Sequence, residues 1–229
     1  MKPSSDYLLG VIGGMGPMAS AVFMEMIIKK TNAAKDQEHI PMVVYHLPYI
    51  PDRTTYILDN TAENPLPYII KAAKKLEADG ATEIAIPCVT AHYFHTEIQN
   101  HISIPLLDGV EDTARFLADR NIRRVGILAT SGTVQTGLFT RAFLPYDISC
   151  IYPDEQMQKK VMHFIYDDIK TGGSVDKNEL HRVTSHLADA GAQTIILGCT
   201  ELSLIPKDCL DTDTVDVLEV LADECISKR

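Results

Sequence analysis

One segment of this chain occurs twice. Gly80-Ala81-Thr82-Glu83-Ile84-Ala85-Ile86-Pro87-Cys88 aligns without a gap with Gly191-Ala192-Gln193-Thr194-Ile195-Ile196-Leu197-Gly198-Cys199. Each copy opens on Gly-Ala, a helix stop, and runs a strand of equal length into a cysteine. Upstream, Gly10-Val11-Ile12-Gly13 resembles Gly126-Ile127-Leu128-Ala129, each a strand entering a turn. Downstream, Asp108, Glu111 and Ala114 recur at identical spacing as Asp216, Glu219 and Ala222. All βα units look somewhat alike, which is the plain explanation of any single match. Matches in the same order, with equal cysteine placement, point to duplicated half-domains.

The rest of the pattern agrees. Apolar runs rich in Val and Ile occupy Leu8 to Ile12, Met42 to Leu47, Glu83 to Pro87, Arg124 to Ala129, Ile148 to Tyr152 and Thr194 to Leu197. Such runs read as parallel strands buried on both faces. Between them lie helical stretches. Leu66 to Ala78 places Ile69, Ile70, Ala73 and Leu76 on one face and stops at Gly80; Asp176 to Ala190 places Leu180, Val183 and Leu187 and stops at Gly191. Alternating strand and helix predicts an α/β fold of two similar lobes, each a parallel sheet flanked by helices. The expected first lobe holds residues 1–114 and takes back 215–229; the second holds 115–214. Ligands of open parallel sheets sit beyond the carboxyl ends of the strands. Cys88 and Cys199 both fall at such ends, so two facing lobes would put a thiol on each side of one cleft.

Composition narrows the partners. With 229 residues, 45% of them apolar, the chain can bury a sizeable core. A formal charge of −10 argues against nucleic acid, whose affinity comes from clustered Lys and Arg, but not against a small anionic substrate. The opening MKPSSDYLLGVIGG has too short and broken an apolar stretch for a secretory signal, and nothing in the chain suggests a membrane span. Five cysteines, an odd and sparse set, predict reduced thiols and a cytoplasmic location.

A thiolate can be a nucleophile, a metal ligand or a base. No C-x-x-C or H-E-x-x-H is present, which disfavours a metal; His92 and His95 after Cys88 read as the start of a helix, with one near the cleft. A disulfide would leave no room for a substrate. A lone strand-end cysteine is commonly a small buried hydrophobe, but two at matched positions are harder to dismiss. Cys150, Cys209 and Cys225 carry no such context and read as structural. Acid–base chemistry from two sides remains: racemising a carbon takes a proton from one face and returns one to the other. Thr90 and Thr200 lie close enough in sequence to hold a thiolate or a substrate group.

Gly13-Gly14-Met15-Gly16-Pro17, Pro87-Cys88-Val89-Thr90-Ala91-His92 and Gly198-Cys199-Thr200-Glu201-Leu202 together resemble the aspartate/glutamate racemase family over nearly the whole chain. Gly-Gly-Met-Gly-Pro, and Glu201 where glutamate racemases tend to show His, side with the aspartate branch. The resemblance implies a cofactor-independent enzyme with no metal, ATP or PLP. It implies a homodimer and a small acidic amino acid as substrate, aspartate or glutamate. It makes Cys88 and Cys199 the catalytic pair, the second serving the L-enantiomer and the first the D-enantiomer. Arg53 resembles the family's substrate-carboxylate arginine and Lys170 its partner lysine; such cations suit a dicarboxylate. Met15 is expected to approach the cleft from the first turn, and Thr130 and Thr133 to line the matching turn of the second half.

One position departs. The family shows Cys-Asn-Thr where this chain has Val89, which cannot hydrogen-bond a substrate; a lost polar contact in a buried site costs about 1–3 kcal/mol. The expectation is that proton transfer is kept while substrate choice or affinity has drifted. Three other readings stand beside this one. Gly14-Met15-Gly16-Pro17-Met18-Ala19 fits a weak nucleotide-binding fingerprint, but the second strand ends without Asp or Glu and Pro17 removes a backbone donor. A non-catalytic binder of a small dicarboxylate would have no use for two thiols. Maleate isomerisation and hydantoin racemisation use opposed cysteines in the same superfamily.

Overall fold

Each half of the duplication folds into its own parallel sheet. The computed structural model describes residues 7–210 and 212–228; residues 1–6, on which the reading of the N-terminus partly rests, and the outer ends of the expected first lobe lie outside the described residues. In chain order the elements are β1 (Leu9–Gly13), α1 (Pro17–Lys30), β2 (Met42–His46), α2 (Arg53–Leu58), α3 (Leu66–Ala78), β3 (Glu83–Ala85), α4 (His95–Gln99) and α5 (Gly109–Asp119). They continue with β4 (Arg124–Leu128), α6 (Ser131–Gln135), α7 (Leu138–Phe143), β5 (Ser149–Ile151), α8 (Glu155–His163), α9 (Lys177–Asp189), β6 (Thr194–Leu197), β7 (Thr214–Asp216) and α10 (Val217–Ser227). A π-helical turn, Phe164–Ile169, extends α8.

The sheets run β2-β1-β3 and β5-β4-β6-β7, all parallel. The first strand of each half is central: Val11 pairs with Val44 and Ala85, and Gly126 with Ile151 and Ile195. β1 and β6 are buried throughout, as two-sided strands should be. The outer strands β2 and β5 are only half-buried because each has one neighbour. The sequence pattern missed β7. Its three residues are too few to show a period and stand among aspartates. Its counterpart in the first half is the segment before α5, where Ile84 donates to Pro105 O at 2.9 Å and Leu107 donates to Ile84 O at 2.8 Å.

The matched Asp108 and Asp216 are helix caps. Asp108 Oδ1 accepts from the N–H of Val110 at 3.1 Å and Glu111 at 3.2 Å, and Asp216 Oδ1 from Leu218 at 2.9 Å. Asp176 starts α9 in the same way, and Gly80 and Gly191, both with positive φ, follow the ends of α3 and α9. The capped helices α5 and α10 pack on each other between the two sheets. Leu218, Leu221 and Cys225 of α10 join a core with Leu9, Val11 and Phe23, while Val217 and Val220 join one with Val125 and Ile127. The carboxyl ends of β1, β3, β4 and β6 face one shared cavity.

Candidate active site

Cys88 lies three residues past the end of β3, and Cys199 two past β6. Both thiols are nearly inaccessible, at 5% and 4% exposure, and both line the same cavity. Met15, Arg53, Val89, Thr90, Thr130, Lys170, Thr200 and Glu201 line it too, together with Asp52, Thr54 and Tyr166, which the sequence reading did not single out. The free space among them is about 10 Å3, close to what one water needs.

The hydroxyls form a network across the two halves. Thr54 Oγ1 donates to Thr130 Oγ1 at 3.0 Å, Thr90 contacts Thr130 at 3.1 Å and Thr133 at 3.0 Å, and Thr130 contacts Thr133 at 3.1 Å. Thr133 stands behind the wall and reaches the cavity through these partners. Hydroxyls are both donors and acceptors, so the cluster can turn a proton toward an anion.

The two sulfurs have opposite neighbours. Arg53, the first residue of α2, is buried beside Cys88. Its Nη2 donates to Met15 O at 3.2 Å and its Nη1 to Pro51 O at 3.1 Å, while Nε is buried without a partner. Burial works against the guanidinium charge, but Cys88, Asp52 and Glu201 outweigh it and hold the Arg53 pKa up. Cys199 instead donates its thiol hydrogen to Glu201 Oε2 at 2.9 Å. Burial first, and then the Glu201 carboxylate, push the Cys199 thiol well above its ordinary pKa. Thr200 Oγ1 also donates to Glu201 Oε2, at 3.4 Å; Oε1 is buried without a partner and lies 2.8 Å from where a Cβ on Gly16 would be. Only glycine at position 16 lets that carboxylate approach the start of α1.

Asp52, Tyr166 and Lys170 close another side. Lys170 follows the π-helical turn, whose extra residue per turn rotates Tyr166 and Lys170 toward the cavity; such turns are frequent at functional sites. Lys170 Nζ lies 3.6 Å from Asp52 Oδ2 and 3.7 Å from the centroid of the Tyr166 ring. Nothing in the local sequence distinguishes Asp52 from an ordinary helix cap, and the register shift hides Tyr166 from a 3.6-residue periodicity.

Val89 is buried at 2% exposure, and it packs with Val110 and Val125. The histidines fall elsewhere, contrary to the expectation of one near the cleft. His92 Nε2 accepts from the N–H of Gly109 at 3.2 Å, so its Nδ1 carries the proton donated to Cys88 O at 3.0 Å. His95 meets Leu106 O at 2.9 Å. Both stand behind Cys88 among Ile86, Leu106 and Leu107 and brace the loop that carries it. Among the described residues no group of three His, Cys, Asp or Glu side chains is placed to hold a metal ion, and no helix is long and apolar enough to cross a membrane.

Comparison with known proteins gives a consistent answer. The family described as Asp/Glu/Hydantoin racemase matches residues 12–225. The Picrophilus torridus aspartate racemase is 30% identical, with a TM-score of 0.83 over 96% of this chain and 93% of its own. The Francisella tularensis glutamate racemase, solved with D-glutamate, has the same fold at 18% identity, with a TM-score of 0.70 over 97% of this chain and 80% of its own. The broad specificity amino-acid racemase RacX of Bacillus subtilis is 25% identical over 228 residues, 96% of this chain and 95% of that one.

Proposed function

The chain belongs to the Asp/Glu/hydantoin racemase family and is an isomerase of that class; from that premise we propose that it racemises an acidic amino acid, aspartate first, by two-base proton transfer between Cys88 and Cys199. The observation that carries the proposal is the shared cavity: equivalent strand ends of the duplicated halves bring one thiol each to a single closed space.

The unequal neighbours suit the work. A base and an acid are needed at once, and two sulfurs with identical surroundings would compete for one charge. Cys88, beside the Arg53 guanidinium, serves as the base. Held by Glu201, Cys199 starts as the proton donor. Cys88 removes the Cα proton from one face and Cys199 delivers its own to the other. That transfer leaves the proton on Cys88 and the charge on Cys199, and from this state the reverse direction runs with Cys199 as the base and Cys88 as the donor. The threonine hydroxyls and the Arg53 Nε–H are donors for the substrate α-carboxylate and for the charge that develops on it as Cα–H breaks. Both proton-transfer groups come from the protein, so the scheme calls for no cofactor.

Incubating L- and D-aspartate in D2O tests the proposal. Wild type inverts Cα and gives deuterated product. Cys88→Ser and Cys199→Ser lose inversion, and any exchange that survives is confined to the enantiomer whose Cα–H faces the remaining thiol. Racemisation by either variant at wild-type rate sinks the scheme. Because one relative is named for broad specificity, the same assay is run with glutamate, alanine and lysine.

A further inference from the structure

The cation expected to take a substrate carboxylate already holds one. The Asp52 carboxylate lies 3.6 Å from Lys170 Nζ, and the Tyr166 hydroxyl is 3.2 Å from each Asp52 oxygen. Asp52 comes from the first half of the chain; Tyr166 and Lys170 come from the second. The Asp52 and Lys170 side chains are 30% and 28% exposed, so they sit where the closed cavity meets solvent. Lys170 also lines the neighbouring open cavity of about 670 Å3, which puts it between that space and the thiols.

We propose that Asp52 is a specificity-determining residue: its carboxylate is an internal occupant of the Lys170–Tyr166 pair, and a ligand that brings its own second carboxylate displaces it. The inference rests on the two-thiol reading and names what selects the substrate class. Three observations support it. First, the thiol cavity holds about one water, so no amino acid fits until a wall moves. Second, Asp52 is not stranded when it lets go. Its Oδ1 also accepts from the Thr55 N–H at 2.8 Å and the Thr55 hydroxyl at 3.1 Å, and these cap contacts of α2 remain. Third, the exchange is like for like. A dicarboxylate gives Lys170 and Tyr166 the same group they lose, whereas an apolar side chain leaves a cation and a phenol without an acceptor. Arg53, beside Asp52, keeps its backbone anchors throughout and is not the cation in play.

The test uses succinate, a dicarboxylate with no α-amino group, and calorimetry on the full chain. Asp52→Asn keeps a good helix-capping residue and removes the internal anion. An internal occupant present nine-tenths of the time weakens apparent binding about tenfold, so Asp52→Asn is expected to tighten succinate by about that factor. With aspartate, KM falls without a rise in kcat. In a Lys170→Met background the gain disappears, because nothing remains to be freed. Unchanged or weaker succinate binding by folded Asp52→Asn overturns the proposal, as does an equal gain in the Lys170→Met background. Succinate binding needs no thiol chemistry, so failure of α-proton exchange in wild type counts against the two-thiol scheme and leaves this result readable.

Discussion

The two cysteine-bearing strand ends hold equivalent places in the sequence repeat and have opposite environments. Cys88 and Cys199 end matched strands, are equally hidden from solvent and line one cavity. Yet one sulfur lies against a guanidinium and the other gives its hydrogen to a carboxylate. The duplicated fold supplies one thiol at each matched strand end, and the residues around them supply the inequality. In the proposed scheme that inequality makes Cys199, whose thiol holds its hydrogen on Glu201, the proton donor at the start.

The comparison can be broken most directly at the sulfurs themselves. Replacing either one by serine is expected to lower racemisation by about 10^3-fold, within the range ordinary for a lost general acid or base, and chiral chromatography of the product reads it. If only one variant loses activity, the scheme of two opposed bases is wrong.

The neighbours can be exchanged next. Both thiols are equally buried, so the rate of iodoacetamide labelling at pH 8, read peptide by peptide, compares their charge rather than their access. Cys88 is expected to label faster. Arg53→Met should slow Cys88, because it removes the cation that lies beside that sulfur. Glu201→Gln should speed Cys199, because it removes an anion that raises the thiol. No change in the Cys88-to-Cys199 ratio in either variant would show that the neighbours do not set the difference.

Val89 tests what the first strand end has given up. Val89→Asn restores the family's polar group and is expected to lower KM for aspartate several-fold. It should also cost about 1–2 kcal/mol of stability, because the same side chain packs with Val110 and Val125. A lowered melting temperature without any kinetic gain would mean that the position serves the core alone.

The smallest effect lies far from the thiols, where α5 meets α10. Burial, and then Glu224, push the Asp112 carboxyl up to about 6 from its ordinary value of 3.8, and Oδ2 has no partner. A carboxyl raised in the folded state contributes stability that is present below about pH 4 and lost as pH rises through about 6. Asp112→Asn should therefore be more stable than wild type at pH 8, by on the order of 1 kcal/mol, and the gap should close toward pH 4. Urea denaturation at the two pH values measures it.

Much of this was legible in the residues. The span of α3 and the cysteine placements follow from local chemistry, a helix stop and a buried strand, and the equal spacing of Asp108 and Asp216 was visible although their role as caps came from the structure. The misses share a cause. β7 is too short to carry a period, Tyr166 is displaced by a π-helical turn, and Asp52 looks like any cap. His92 sits four residues past Cys88, yet the turn there points it backward to Gly109 rather than into the cavity.

The amino-acid order by itself determined a doubled α/β chain with a cysteine after each matched strand, because strands, helices and caps are specified by residues within a few positions of one another. Only the tertiary structure decided that Arg53 faces one sulfur, that Glu201 holds the other and that Asp52 occupies Lys170. Docking of the two halves sets the Asp52–Lys170 pair, while Arg53 reaches Cys88 within the first half and Glu201 reaches Cys199 within one loop; in each case the field depends on distance in space, which the order of residues does not encode.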